Sequence, residues 1–362
     1  MPRRTATMLA STLIFIALLC AGVFLKVPYA EMSPGPTVNT LGSADGEPVL
    51  DISGHKTYPT TGHLNMTTVR VTGADYQMNL LEAVYGWVAH DNVVVPHDTL
   101  YPNGKTEAES TQENAEEFSQ SQESAKVAAL RELKMPVKAR VVVASVVKGS
   151  PSQNRLHAGD VIRAVDGTVV KQPEDVAKLV VKHKPGEDVV FTVVPADDAA
   201  AAEKAGKEPK GTENVTVPTV KAEDDGRAIV GIQAGTDHTF PFEIDINLAD
   251  VGGPSAGLMF ALGIVDKLTS DDLTGGKFVA GTGTIDESGK VGPIGGIEMK
   301  LVGARNAGAE YFLTPSDNCA SAVSDIPEGL TLVKVDTIKD ARKSLAKINS
   351  GATADLPSCS AG

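Results

Sequence analysis

The sequence predicts an α+β multidomain chain headed by a transmembrane helix, on three observations. Met8 to Leu25 is a run of 18 residues without a charge. Between Val137 and Val220, Gly159-Asp160 suits a turn between strands and Asp166-Gly167 a hairpin. From Lys277 to Ile348, strand-like runs alternate with helix-like ones, which gives a mixed α/β layer. The 362 residues leave room for two or three domains. Apolar residues make up 42%, enough for real cores, and the net charge is −13 with no basic block beyond the first residues. That balance argues against nucleic acid as a partner.

As a helix, Met8 to Leu25 would be about 27 Å long, near the lower limit for a bilayer span, with Lys26 able to reach the interface. Arg3 and Arg4 precede it, so residues 1–7 are expected in the cytoplasm and the bulk of the chain outside. The rival is a cleaved signal peptide, whose apolar core is usually about 7–15 residues and ends at an A-x-A-like site. Pro28-Tyr29-Ala30 is a poor substitute for that site, and Leu19 before Cys20 is not the small residue a lipidated cysteine needs. An uncleaved anchor over residues 8–27 in the cytoplasmic membrane is the expectation. Cys319 and Cys359 are compatible with a disulfide outside the membrane and equally with two free thiols.

Residues 28–106 read as a strand-rich extracytoplasmic region. Pro28 to Pro36 is a stiff exit from the membrane, Thr67 to Thr72 alternates as a strand does, and Leu80 to Val88 reads as a short helix. No functional site is expected in residues 37–105, and His90 and His97 have no third metal ligand in view. Residues 107–134 read as a connecting helix, with Ala115, Phe118, Gln122, Ala125, Ala129 and Leu133 forming a modest stripe that packs on a neighbour. Between Pro195 and Thr212 the chain is charged and Ala-rich without a stripe. It predicts a mobile excursion between the strands Val189–Val194 and Asn214–Val220. Residues 349–362 read as a disordered tail.

The chemistry concentrates between Asn247 and Gly308. A strand-like segment leads through Gly252-Gly253-Pro254 to Ser255 and then into an apolar helix. A serine there has an exposed hydroxyl, and its amide and that of Gly253 lie where an oxyanion could be held. Serine needs a base. Gly253-Pro-Ser-Ala-Gly257 fits the G-x-S-x-G elbow, but that arrangement needs a histidine downstream, and the last histidine is His238. The set His238, Asp250 and Ser255 is too crowded on one strand and turn for a triad. A lysine remains. In the helix-like run from Gly295 to Gly308, Ile297, Lys300, Leu301 and Ala304 share one face. Lys300 on that stripe is either a side chain that snorkels to water or a desolvated, neutral amine able to take the serine proton. No G-x-x-x-x-G-K-[ST] loop occurs, and neither Gly104-Lys105 nor Gly289-Lys290 completes one. No cofactor, metal or nucleotide is expected.

Two resemblances extend this reading. Gly253-Pro-Ser-Ala-Gly257, Gly281-Thr-Gly283 and Gly289-Lys-Val-Gly-Pro-Ile-Gly-Gly296, followed by Lys300 and Ala304, resemble the proteolytic domain of Lon proteases (peptidase family S16) over residues 229–348. The resemblance implies a Ser–Lys dyad of Ser255 and Lys300, with Thr282 hydrogen-bonding the lysine. It departs from many Lon proteases at Val251-Gly252, where they carry a Lys-Asp pair. Residues 135–222 resemble a PDZ domain, carried by Ala139 to Val146, Gly149-Ser-Pro151, Leu156 to Gly167 and Pro185 to Val193. The resemblance implies that the loop containing Met135, Pro136 and Val137 would capture a peptide carboxylate, although it lacks the usual glycines and Pro136 removes a donor. The order of anchor, PDZ-like β domain and Lon-type α/β proteolytic domain without an ATPase is similar to bacterial membrane-anchored PDZ–Lon proteases. It implies an ATP-independent serine endopeptidase acting on protein or peptide substrates, with a homo-oligomer among its partners. A PDZ adaptor with an inactive protease layer and a self-processing factor are the alternatives.

Overall fold

A computed structural model describes residues 3–89, 91–204, 209, 211–249 and 251–359; His90 and Asp250 lie outside the described residues. The helices, in chain order, are α1 (Arg3–Phe24), α2 (Leu80–Val88), α3 (His97–Leu100), α4 (Glu107–Glu132), α5 (Pro173–Val180), α6 (Ala196–Lys204), α7 (Gly257–Leu268), α8 (Ile297–Asn306), α9 (Cys319–Ala322) and α10 (Ile338–Ser350). Two compact units divide the chain: Met1–Met135 with Ile244–Gly362, and Pro136–Glu243.

The first unit is built on a six-stranded sheet in the order Thr331–Val335, Tyr311–Pro315, Phe278–Gly281, His63–Val71, Tyr29–Asn39, Val93–Pro96. Its first four strands run parallel, and Tyr29–Asn39 pairs antiparallel with both of its neighbours. Residues 28–106 are therefore no separate region. Their two long strands sit inside this six-stranded sheet, because His63–Val71 pairs directly with Phe278–Gly281. Helix α7 is buried on nearly every side, as its unbroken apolar sequence requires, and it packs against α4, α10 and the His63–Val71 strand. Phe118 of α4 meets Phe260 of α7 edge-on, with ring centroids 5.9 Å apart. Thr106 and Glu109 form a capping box that starts α4 at Glu107.

The expected loose tail is instead docked. Helix α10 runs to Ser350, the Lys334 amide donates to the Pro357 carbonyl, and Cys359 forms a disulfide with Cys319.

The second unit is an antiparallel sheet in the order Glu213–Pro218, Asp188–Val194, Val161–Val165, Lys138–Val146, Ile232–Thr239. Val143, Leu156, Ile162, Val165, Val189 and Phe191 lie at the centre of its core. Two expectations change here. The stretch 229–243, expected to open the proteolytic domain, belongs to this unit, because Ile232–Thr239 pairs along its whole length with Lys138–Val146. The expected excursion after Pro195 begins with helix α6, held by the buried Ala199 and by a bond from the Ala196 amide to Asp160.

Candidate active site

The strand Glu243–Ile246 pairs with Leu50–Ser53 and delivers the chain to the turn before α7. Gly253 has φ +80°, a conformation that side-chain-bearing residues rarely adopt. Helix α4 clasps the turn at two points. The Gly253 amide donates to the Asn114 carbonyl at 2.8 Å, and the Ser121 hydroxyl donates to the Pro254 carbonyl at 2.9 Å. The turn is thus fixed just ahead of Ser255, whose hydroxyl projects toward α8.

Gly296, with φ +66°, caps the start of α8. A Cβ there would come within 2.9 Å of Met32 and 3.0 Å of Val69, so the glycine lets α8 press against the Tyr29–Asn39 and His63–Val71 strands. Ile297, Leu301 and Ala304 are buried as the stripe requires, and Lys300 is buried with them at 3% exposure. Its Nζ lies 2.9 Å from the Ser255 Oγ, 2.9 Å from the Thr67 carbonyl oxygen and 3.2 Å from the Thr282 Oγ1. The Thr282 hydroxyl donates its own proton to the Ser255 carbonyl at 3.0 Å, and the Gly283 amide donates to the same oxygen at 2.8 Å. Burial lowers the Lys300 pKa to about 8. None of its hydrogen-bond partners among the described residues is a carboxylate that could hold the ammonium form.

This set of partners limits where the protons of a neutral Lys300 amine can go. A neutral amine has two N–H groups and one lone pair. The Thr67 carbonyl can only accept. The Thr282 oxygen, with its proton committed to Ser255, also accepts. Both N–H groups are then used, and the lone pair is left facing the Ser255 hydroxyl.

Of the residues expected from sequence, Ser255, Thr282 and Lys300 come together. Gly253 departs from its expected oxyanion role: its N–H is spent on Asn114. The Ser255 amide makes no hydrogen bond to a described residue. Helix α4 was expected only to pack, and no site was expected at Thr67. Thr67 contributes through a backbone carbonyl, which leaves no mark in sequence; Asn114 likewise acts through its carbonyl. His238 lies on the Ile232–Thr239 strand of the second unit, and no described group of His, Cys, Asp and Glu could hold a metal ion.

The expected peptide-binding loop is also changed. The Met135 amide donates to the Leu130 carbonyl at 2.8 Å, and Pro136 has no N–H, so of the three only the Val137 amide is left to receive a carboxylate. The adjoining Lys138–Val146 edge, where an added peptide strand would lie, is filled by Ile232–Thr239, paired from Val146 to Lys138 with a shift between Gln233 and Ala234. Helix α5 lies against that same strand.

Residues 249–347 match the Lon protease (S16) C-terminal proteolytic domain, and residues 117–201 match the PDZ domain. The chain thus carries a Lon-type proteolytic domain and a PDZ domain. Among curated relatives, it is 38% identical over 94 residues to a Lon protease of Azospirillum brasilense, covering 25% of this chain and 11% of that protein. It is 40% identical over 85 residues to Lon protease 1 of Bacillus subtilis, covering 22% of this chain and 11% of the other. The chain therefore spans about a tenth of the length of these relatives. A solved PDZ domain of an SdrC-like protein from Listeria monocytogenes aligns over 26% of this chain and 86% of its own, at 23% identity and a TM-score of 0.21.

Proposed function

We propose that the chain is a serine endopeptidase in which Ser255 is the nucleophile, Lys300 the general base and Thr282 the group that orients the lysine. The observation that carries the reading is the buried Lys300 amine 2.9 Å from the Ser255 hydroxyl, with its other two partners both acceptors. Lys300 takes the Ser255 proton as Oγ bonds to the scissile carbonyl carbon. The oxyanion lies against the Ser255 amide at the start of α7. Lys300 then returns the proton to the leaving nitrogen as the C–N bond breaks, and a water repeats the sequence to release the acid. The 362 residues contain no P-loop, so this chemistry is proposed to need no nucleotide and to act on extended segments.

The apolar α1 is a candidate membrane span: an 18-residue window, Thr7–Phe24, has mean hydropathy 2.3 and is 6% buried. We read it as an anchor with the catalytic unit outside. The Cys319–Cys359 disulfide supports that side, since disulfides persist in oxidising compartments. The filled PDZ edge favours a gating role over free peptide capture, and it counts against the adaptor reading. Labelling with a fluorophosphonate tests the assignment. Modification of the wild type at residue 255, absent in Ser255→Ala and Lys300→Met, is expected; equal labelling of all three overturns it.

A further inference from the structure

We propose that the outer face of α2 is a membrane-contact surface that seats the catalytic unit on the lipid headgroups. This rests on the reading of α1 as a membrane span. The inner face of α2 is used up: Ala83 and Gly86 are buried, and a Cβ on Gly86 would meet the Val94 side chain at 2.5 Å. Its outer face is apolar and uncovered, with Val84 43%, Tyr85 71%, Trp87 53% and Val88 73% exposed. Glu82, the helix's one charged side chain, is turned back onto the Asn79 amide and the Tyr76 hydroxyl. A surface of this kind, without charge and with two aromatic rings, needs an occupant.

Continuity identifies the occupant. The start of α2 is fastened to the end of α1. The Leu80 amide donates to the Leu25 carbonyl at 2.9 Å, the Val27 amide to the Met78 carbonyl at 3.0 Å, and the Lys26 ammonium to the Gln77 carbonyl at 2.9 Å. Gly22 of α1 lies against Leu81, where a Cβ would come within 3.1 Å of that side chain. The α2 face therefore continues the exposed apolar surface of α1 at the level where the chain leaves the bilayer. Tyr and Trp rings concentrate at that level, with an apolar body toward lipid and a polar edge toward water. A lone anchor helix would let the unit swing, whereas a second contact beside it holds the unit in one orientation.

The contact also places the dyad. Trp87 packs edge-on against Tyr29 at 5.2 Å, and Tyr29 begins the strand that reaches Met32, beside Gly296 at the head of the Lys300 helix. Those three residue steps span about 10 Å. The site is thereby held close to the bilayer surface, which favours polypeptide segments just emerging from the membrane as substrates.

Trp87 is the chain's single tryptophan, so its fluorescence reports this face alone. The full chain is reconstituted in vesicles of phosphatidylcholine and phosphatidylglycerol carrying bromine near the headgroup or near the chain ends, and carbonate extraction is run in parallel. The expected result is retention in the membrane and loss of roughly half the emission with bromine near the headgroup, less with bromine at the chain ends, as for a ring at the interface. Retention with unquenched emission overturns the α2 contact and leaves the anchor standing. Disulfide-linked dimers of a Tyr85→Cys, Cys20→Ser variant, together with unquenched emission, would assign the face to a second copy instead. Release by carbonate overturns the anchor reading and the α2 contact with it.

Discussion

At Lys300, burial and hydrogen-bond geometry act together. Burial removes the preference for the ammonium, and the Thr67 carbonyl and Thr282 hydroxyl use the two N–H bonds that remain. Activity is therefore expected to rise with pH to a plateau, with an apparent pKa near 8, measurable as kcat/KM on a peptide. Lys300→Arg should be inactive, since guanidinium keeps its proton. Thr282→Val should lower kcat by roughly ten- to a hundredfold, and Thr282→Ser should restore most of it, because one of the two acceptors that aim the lone pair is lost and regained. The same burial costs stability. Below pH 8 the native state must bury an ammonium, while the unfolded chain holds its proton up to 10.5, so between these values the unfolded state binds more protons and stability rises with pH. That cost is about 3 kcal/mol when complete. Urea denaturation of Lys300→Met should show its largest gain over wild type below pH 8, shrinking as the pH approaches 10.5.

Among the elements, α7 follows Ser255 at one end and holds a buried carboxyl near the other. Asp266 is fully buried and accepts the Leu273 amide at 2.7 Å on one oxygen, and its second oxygen has no partner among the described residues. Burial raises its pKa to about 6. A carboxyl with a raised pKa supports the fold while protonated and loses that contribution as the pH climbs through 6. Asp266→Asn should therefore raise stability at pH 8, by roughly 1–3 kcal/mol, and change it little only below the unfolded value of 3.8. The elements also divide by how far they could be read in sequence. The lysine stripe on α8 and the apolar run of α7 are local patterns, visible at helical spacing. The bonds from Lys300 to Thr67 and from Ser121 to Pro254 span 233 and 133 residues, and no local pattern encodes them. Helix α6 has no apolar stripe to mark it in sequence; one buried methyl, Ala199, takes the place of a stripe. The Ile232–Thr239 strand was legible as extended chain. Its partner lies some ninety residues upstream, at Lys138–Val146, so its unit was not legible.

For the molecule as a whole, two closures stand out. The Cys319–Cys359 bond closes a loop with a sequence separation of 40, for which chain entropy alone contributes about 4 kcal/mol. Guanidinium denaturation with and without reductant should differ by that order, and an unchanged midpoint would show that the tail adds nothing to the fold. The second closure is the PDZ edge. Because Ile232–Thr239 already occupies it, C-terminal peptides titrated into the intact chain should bind weakly, and Thr236→Pro, which breaks the pairing opposite Val141, should strengthen binding in fluorescence anisotropy. Tight binding to the wild type would mean that the strand is readily displaced.

The pairing of Ser255 with an uncharged Lys300 is tested most directly by the rate at which a fluorophosphonate modifies Ser255, followed from well below to well above pH 8. The pairing requires a rate that climbs to a plateau with a midpoint near the lysine's lowered pKa of about 8, and no modification in Lys300→Met. A rate independent of pH, or a Lys300→Met protein labelled as fast as wild type, would show that another group takes the serine proton.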